Sequence, residues 1–235
     1  MNRTIKIGFA ALALAAVAPA FAQNETNAEG PVGYTPVAIG LATPVQLPWG
    51  LNRWDVYGLD LNLFYSDAPT MVGLDIGGLA TRVRNETKAL VIGGLANIAE
   101  DDVYGLRATF GLNYSTKSVY GCDLGLFGLR EDFCGFDAEF LGSYQRETCG
   151  LSIGGLVTVA TEESHGVNIA GLSNITKNAR GLQLSGLFNY TETLSGCQIA
   201  LVNYTDACPS GFQIGLVNII MQNVCPVLPI VNGYF

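Results

Sequence analysis

Apolar and polar residues alternate along this chain in blocks that recur every 14 to 16 residues from residue 58 onward. In the block opened by Gly181, Leu182, Leu184, Gly186, Phe188 and Tyr190 oppose Gln183, Ser185, Leu187 and Asn189. From Gly105 to Ser115, Leu106, Ala108, Phe110, Leu112 and Tyr114 oppose Arg107, Thr109, Gly111 and Asn113. A period of two held over nine or so residues marks a two-faced β-strand. A glycine opens each block at 58, 73, 105, 121, 135, 150, 166, 181, 196 and 211, with Ala89 in the same place once. Turn-forming stretches such as Ser66 to Pro69, Glu100 to Asp102, Thr161 to Ser164 and Thr205 to Ser210 separate the blocks. Helical periodicity is absent after residue 22, so the pattern predicts an all-β chain built from one unit used many times.

Two architectures accommodate such a unit. In an antiparallel up-and-down β-barrel each unit is one strand and one turn. In a β-solenoid each unit is one coil, and equivalent residues stack. The recurring Asn97, Asn113, Asn174, Asn189, Asn203 and Asn218 suit stacking. Reach argues the other way. A straight strand of nine residues advances about 30 Å, and the six or so that remain span at most about 20 Å, too short to return to the start. A solenoid therefore needs a corner inside the unit, and the unbroken alternation from Leu106 to Tyr114 shows none, while the pairs Gly77-Gly78, Gly93-Gly94 and Gly154-Gly155 could be corners. The expectation is a barrel of about twelve strands, with a β-solenoid as the alternative. Tyr57, Tyr104 and Tyr120 precede strand starts, while Tyr65, Tyr114, Tyr144, Tyr190 and Tyr204 close strands. In a barrel these would form two aromatic girdles around an outward apolar band.

Composition sharpens the location. Hydrophobic residues make up 49% of the 235-residue chain and charged residues only 14%, well below the share in an ordinary soluble domain. Arg3 and Lys6 precede an apolar run from Ile7 to Val17, and Ala20-Phe21-Ala22 offers a small-residue cleavage site, so residues 1–22 read as a secretory signal peptide. Its removal leaves 10 basic against 20 acidic residues, which argues against a nucleic-acid partner. Residues 23–56, with Pro36, Pro44, Pro48, Trp49 and Trp54, form an N-terminal extension and a candidate plug or periplasmic segment. Residues 57–235 form the repeat barrel domain.

Candidate chemistry is sparse. Six cysteines in an exported chain suggest structural disulfides or buried thiols, and none has the C-x-x-C spacing of a zinc or redox site. The single histidine, His165, sits in an acidic segment beside Glu162 and Glu163 without the partners of a triad or metal site. The acidic run Glu100-Asp101-Asp102 reads as a charged turn. No catalytic residue, cofactor or metal is expected. Asp60, Asp75, Arg107, Asp123, Asp137 and Glu139 lie opposite the apolar stripe and would face the lumen of a barrel, where charges are tolerated. An acidic lumen would favour cations if it conducts at all.

The phrases from Gly181 to Tyr190 and from Gly211 to Ile219 resemble the bacterial surface-repeat proteins. So do the entry running from Pro44 to Leu47 and from Asp55 to Leu59, and the ending from Leu228 to Phe235. The resemblance implies an exported, cell-surface or outer-membrane bacterial protein with no enzyme activity. A terminal Phe235 resembles the signal read by barrel-assembly machinery, which would make that machinery and outer-membrane lipid the expected partners. The function expected is that of a structural barrel or narrow channel; the alternative is a surface-exposed solenoid for adhesion or binding. A small solute or surface ligand stays unidentified.

Overall fold

The computed structural model describes residues 31–43, 45–49 and 53–234. The signal-peptide segment lies outside the described residues. In chain order the strands are β1 (Gly33–Ala42), β2 (Val45–Leu47), β3 (Trp54–Ala68), β4 (Met71–Gly77), β5 (Ala80–Val83), β6 (Thr87–Gly93), β7 (Ala96–Ala99) and β8 (Val103–Thr109). They continue with β9 (Leu112–Ser115), β10 (Val119–Leu129), β11 (Asp132–Gly154), β12 (Val157–Ala170), β13 (Ser173–Ser185), β14 (Phe188–Ile199), β15 (Val202–Ile220) and β16 (Val227–Gly233).

These strands wind into a parallel β-solenoid of about eleven coils, which overturns the antiparallel barrel. Neighbouring coils pair in parallel and in register. Gly166 pairs with Gly181, Gly181 with Gly196 and Gly196 with Gly211, one repeat apart each time. Each coil contributes to two ladders. In one, β4, β6, β8 and the start of β10 follow one another; in the other, β5, β7, β9 and the end of β10 do so. From β11 onward single long strands serve both ladders.

The corner hidden in the Leu106–Tyr114 alternation lies between β8 and β9, at Phe110 and Gly111, and the equivalent corners of other coils fall at the pairs Gly77-Gly78, Gly93-Gly94 and Gly154-Gly155. Leu106 and Ala108 point outward from one sheet, while Leu112 and Tyr114 point outward from the other. Both sheets share one interior, so the in–out parity carries around the bend and reads as one straight strand. That is why the reach argument failed. Among the described residues the coils close on packed side chains and leave no lumen; residues 23–30 of the N-terminal extension lie outside the described residues. Gly33–Ala42, read from sequence as part of an extension, pairs in parallel with β3.

The opening glycine of each unit has a backbone reason. Gly181 adopts φ +129°, and a Cβ there would lie against the carbonyl oxygen of Gly166 in the coil below, well inside contact distance. The ends depart from the parallel rule. β2 runs antiparallel to β1, and β16 runs antiparallel to β15 along Phe212 to Ile219.

Candidate functional site

The interior combines apolar clusters, such as Val56 with Met71 and Val103 with Val119 and Phe133, with long polar columns. One buried column holds Asp60, Asp75, Val91, Arg107, Asp123 and Asp137, then Ser152, Asn168, Gln183, Gln198 and Gln213. Facing it from the other sheet, Asn174, Asn189, Asn203 and Asn218 stack one per coil. Asn174 donates through Nδ2 to Asn189 Oδ1 at 3.0 Å, and Asn189 donates to Asn203 at 2.9 Å. The Gln column follows suit: Gln198 donates to Gln183 Oε1 and Gln213 to Gln198 Oε1, both at 2.8 Å. Such amide ladders satisfy buried groups that would otherwise cost about 1–3 kcal/mol each.

The six sequence-predicted residues Asp60, Asp75, Arg107, Asp123, Asp137 and Glu139 all lie in this interior, and none is more than 2% exposed. They form two groups. In the first coils Asp60 and Asp75 are ladder neighbours. Asp60 accepts hydrogen bonds from Asn62 and Ser66, both at 2.6 Å. Burial pushes its pKa up to about 6, against the pull of the Ser66 bond. Burial, with Asp60 beside it, raises Asp75 well above the usual carboxylate range.

The second group is an ion cluster at mid-solenoid. Arg107 donates to both oxygens of Asp123, through Nε at 2.9 Å and Nη2 at 2.6 Å. Arg130 bonds Asp123 from the other side and donates to Asp137 at 2.6 Å. Burial would raise Asp123, but Arg107 and Arg130 outweigh it and hold its pKa below the ordinary value. Glu139, 3.6 Å from Arg130, is raised by burial to about 8. Protonating Glu139 leaves two guanidinium groups against two carboxylates, so the cluster closes neutral. Arg130 was missed in the sequence because it follows Leu129 at an apparent turn. Its signal was its place in register with Gln145, one coil further on, which is also buried.

The remaining candidates are peripheral. His165 lies in β12 with Nε2 2.8 Å from Glu163 Oε2, on a partly exposed edge. Asp101, from the acidic run, accepts from Lys117 Nζ at 2.6 Å. All six cysteines are free thiols. Among the described residues no cluster of His, Cys, Asp or Glu is arranged to hold a metal ion.

The exterior is where the surface becomes unusual. Two outward columns on the first sheet run from Leu59 to Phe212 and from Leu61 to Ile214, and every position in them is Leu, Ile, Val, Phe, Ala or Cys. At the corner beside them a ridge of leucines includes Leu95, Leu156, Leu172, Leu187 and Leu201, exposed by 42–59%. Phe110 and Phe140 stand from the same corner and wall an apolar groove of about 600 Å³ over Ala108, Gly125 and Ala138. The opposite corner is charged, carrying Glu86, Asp101, Lys117, Arg146, Glu162 and Glu192. Tyrosines border that charged corner on the first sheet in the early coils and on the second sheet in the later ones, while Cys134, Cys149, His165 and Arg180 continue the first-sheet column. Tyr104 and Tyr120 stack at 5.1 Å on the first sheet, and Tyr190 and Tyr204 at 5.4 Å on the second. The two girdles expected at opposite ends of a barrel are thus two fringes of a single edge, because the start and the close of each unit meet at the same corner.

No family model, curated protein or solved structure matches the chain.

Proposed function

We propose that this is a non-catalytic repeat protein of the bacterial surface, a solenoid scaffold that engages its partner through its flanks. One observation carries the reading: polar columns run the length of the interior, beside three small apolar clusters, while the outward columns are unbroken apolar surface. Most interior acids are held by partners: Asp60 by Asn62 and Ser66, and Asp123 and Asp137 by Arg130. Glu139, which borders the groove between Phe110 and Phe140, is held by Asn113. Water-soluble proteins seldom leave apolar patches beyond a few hundred Å² uncovered, and larger ones mark interaction surfaces. The alternation of Leu and Ile with Gln, Asn and Asp supports both halves of this inversion at once. The resemblance of the Gly181 and Gly211 phrases to surface-repeat proteins, together with the N-terminal Ala/Leu-rich run, supports an exported location.

The test is cell fractionation followed by purification with and without detergent. The expected outcome is recovery in the envelope fraction, resistance to salt extraction, and aggregation when detergent is withdrawn. Recovery as a monodisperse, detergent-free monomer in the soluble fraction overturns the reading.

A further inference from the structure

The apolar surface wraps three contiguous sides of the solenoid, and this constrains what covers it. It comprises the first sheet, the leucine corner and much of the second sheet, where Leu112, Phe127, Val157, Phe188 and Val202 point outward. A second copy of the chain, or any folded partner of ordinary size, covers one face and leaves the corner and the other face wet. A fluid covers all three.

We infer that the solenoid lies edge-on in a single membrane leaflet, its axis parallel to the membrane, with the leucine corner in the acyl chains and the charged corner in water. The inference rests on the reading above, that the flanks meet an apolar partner, and names that partner as lipid. Three features of the molecule carry it. First, no charged residue points outward from the two first-sheet columns or from the leucine corner, so the inserted zone carries no ionic penalty. Second, tyrosines fringe the charged corner, Tyr57, Tyr104 and Tyr120 on the first sheet in the early coils and Tyr144, Tyr190 and Tyr204 on the second sheet in the later ones, where an aromatic ring with a polar tip belongs at the hydrocarbon–water boundary. Third, the depth fits. From the corner to the repeat glycine is about five residues, or about 15 Å at about 3.3 Å each, half the ~30 Å hydrocarbon core. One leaflet is filled and a bilayer is not spanned.

Backbone groups allow this arrangement. The in-register ladders pair the N–H and C=O groups of each coil with the next, so the immersed sheets present side chains and not open edges. The groove between Phe110 and Phe140 opens on the same inserted corner and is lined by apolar side chains apart from Thr109 and Glu139, a shape and polarity suited to an acyl chain. The acidic character of the water-facing corner selects against strongly anionic headgroups, so zwitterionic lipid is the preferred surface.

The experiment uses the full exported chain, transferred from detergent to phosphatidylcholine vesicles and read by flotation. Binding is expected, with no strengthening when phosphatidylglycerol is added. Leu172→Asp/Leu187→Asp is expected to lower vesicle binding at least about tenfold, while Glu162→Ala/Glu192→Ala leaves it unchanged. Depth is read with Leu187→Trp and Glu192→Trp over the constant signal of Trp49 and Trp54. Lipids brominated in mid-chain should quench the first new tryptophan and spare the second, and the Leu187→Trp change keeps the corner apolar and the fold intact. Equal quenching of the two, or flotation unaffected by the paired aspartates in a variant that keeps its β-sheet circular dichroism, overturns edge-on insertion. A chain that needs detergent yet ignores vesicles and forms a defined dimer or larger assembly also overturns it, and leaves the broader apolar-partner reading standing.

Discussion

Asn189 donates to Asn203 Oδ1 at 2.9 Å and accepts from Asn174 at 3.0 Å, so one amide links three successive coils. Its Nδ2 also reaches the carbonyl of Ile199 at 3.0 Å. Asn189→Ala removes all of these partners inside a buried column. With about 1–3 kcal/mol for each stranded polar group, the loss expected is about 2–4 kcal/mol in chemical denaturation. Lys177→Ala, on the charged corner, should change the midpoint by less than about 0.5 kcal/mol.

Gly181→Val places a branched side chain where φ is +129° and the carbonyl of Gly166 closes the space. Ala89 fills the equivalent place in its own coil without a positive φ, so a Cβ is admitted only where the backbone has already shifted. The Val variant is expected to lose about 3 kcal/mol or more, read from the denaturant midpoint. A midpoint within error of the parent would show that coil stacking does not depend on this glycine.

Stability should rise on mild acidification. A carboxyl whose folded pKa exceeds its unfolded value holds its proton longer in the folded state. The stability it carries is complete below the unfolded value and is lost as pH climbs through the folded one. For Glu139 that window runs from about 4.5 to about 8, and for Asp60 from about 3.8 to about 6. Asp123, with a depressed pKa, acts oppositely and costs stability when pH falls below the ordinary Asp range. Melting temperature is therefore expected to increase from pH 8 towards pH 5 and to drop in stronger acid. Glu139→Gln, which keeps an acceptor for Asn113, should flatten the upper part of that profile and raise the melting temperature at pH 8.

Cys134 and Cys149 precede Gly135 and Gly150, which stack in adjacent coils, and contact between the two thiols raises the Cys134 pKa. In-register parallel neighbours sit about 4.8 Å apart, within the Cα spacing of about 4.4–6.8 Å that a disulfide accepts. Diamide, by taking two electrons and two protons from the pair, should link them. Non-reducing peptide mass spectrometry is expected to find the 134–149 bridge ahead of any other, and a dominant pairing with Cys122 or Cys197 would contradict the stacking register.

Much of this architecture was legible in the chain before its fold. The repeat, the all-β class and the inward position of Asp60, Asp75, Arg107, Asp123, Asp137 and Glu139 follow from a period of two, because parity depends only on inside against outside. Parity is blind to bends, however. Leu106 and Leu112 point away from the same interior across opposite sheets, and a barrel strand yields an identical string. The Asn189–Asn203 spacing held the deciding information, since amides one repeat apart bond side to side only when coils run parallel. Arg130 escaped notice for a related reason: its register is set by the coil above it, and no local spacing announces that Asp123 and Asp137 need a second cation. The apolar corner was visible as repeated leucines, but its grouping opposite the charged turns required knowing where the chain folds back.

β2 and β16 give the stack its final property. An in-register parallel ladder invites another chain to continue it, as in cross-β fibrils. Here Val45–Leu47 lies reversed against the outer strand at the start, and Val227–Gly233 does the same along the last coil. A newcomer arriving in parallel meets a reversed strand over Ile39–Ala42 at one end and over Phe212–Ile219 at the other. The described coils stack to about 50 Å, about eleven at ~4.8 Å each, and their two reversed strands oppose growth into a filament.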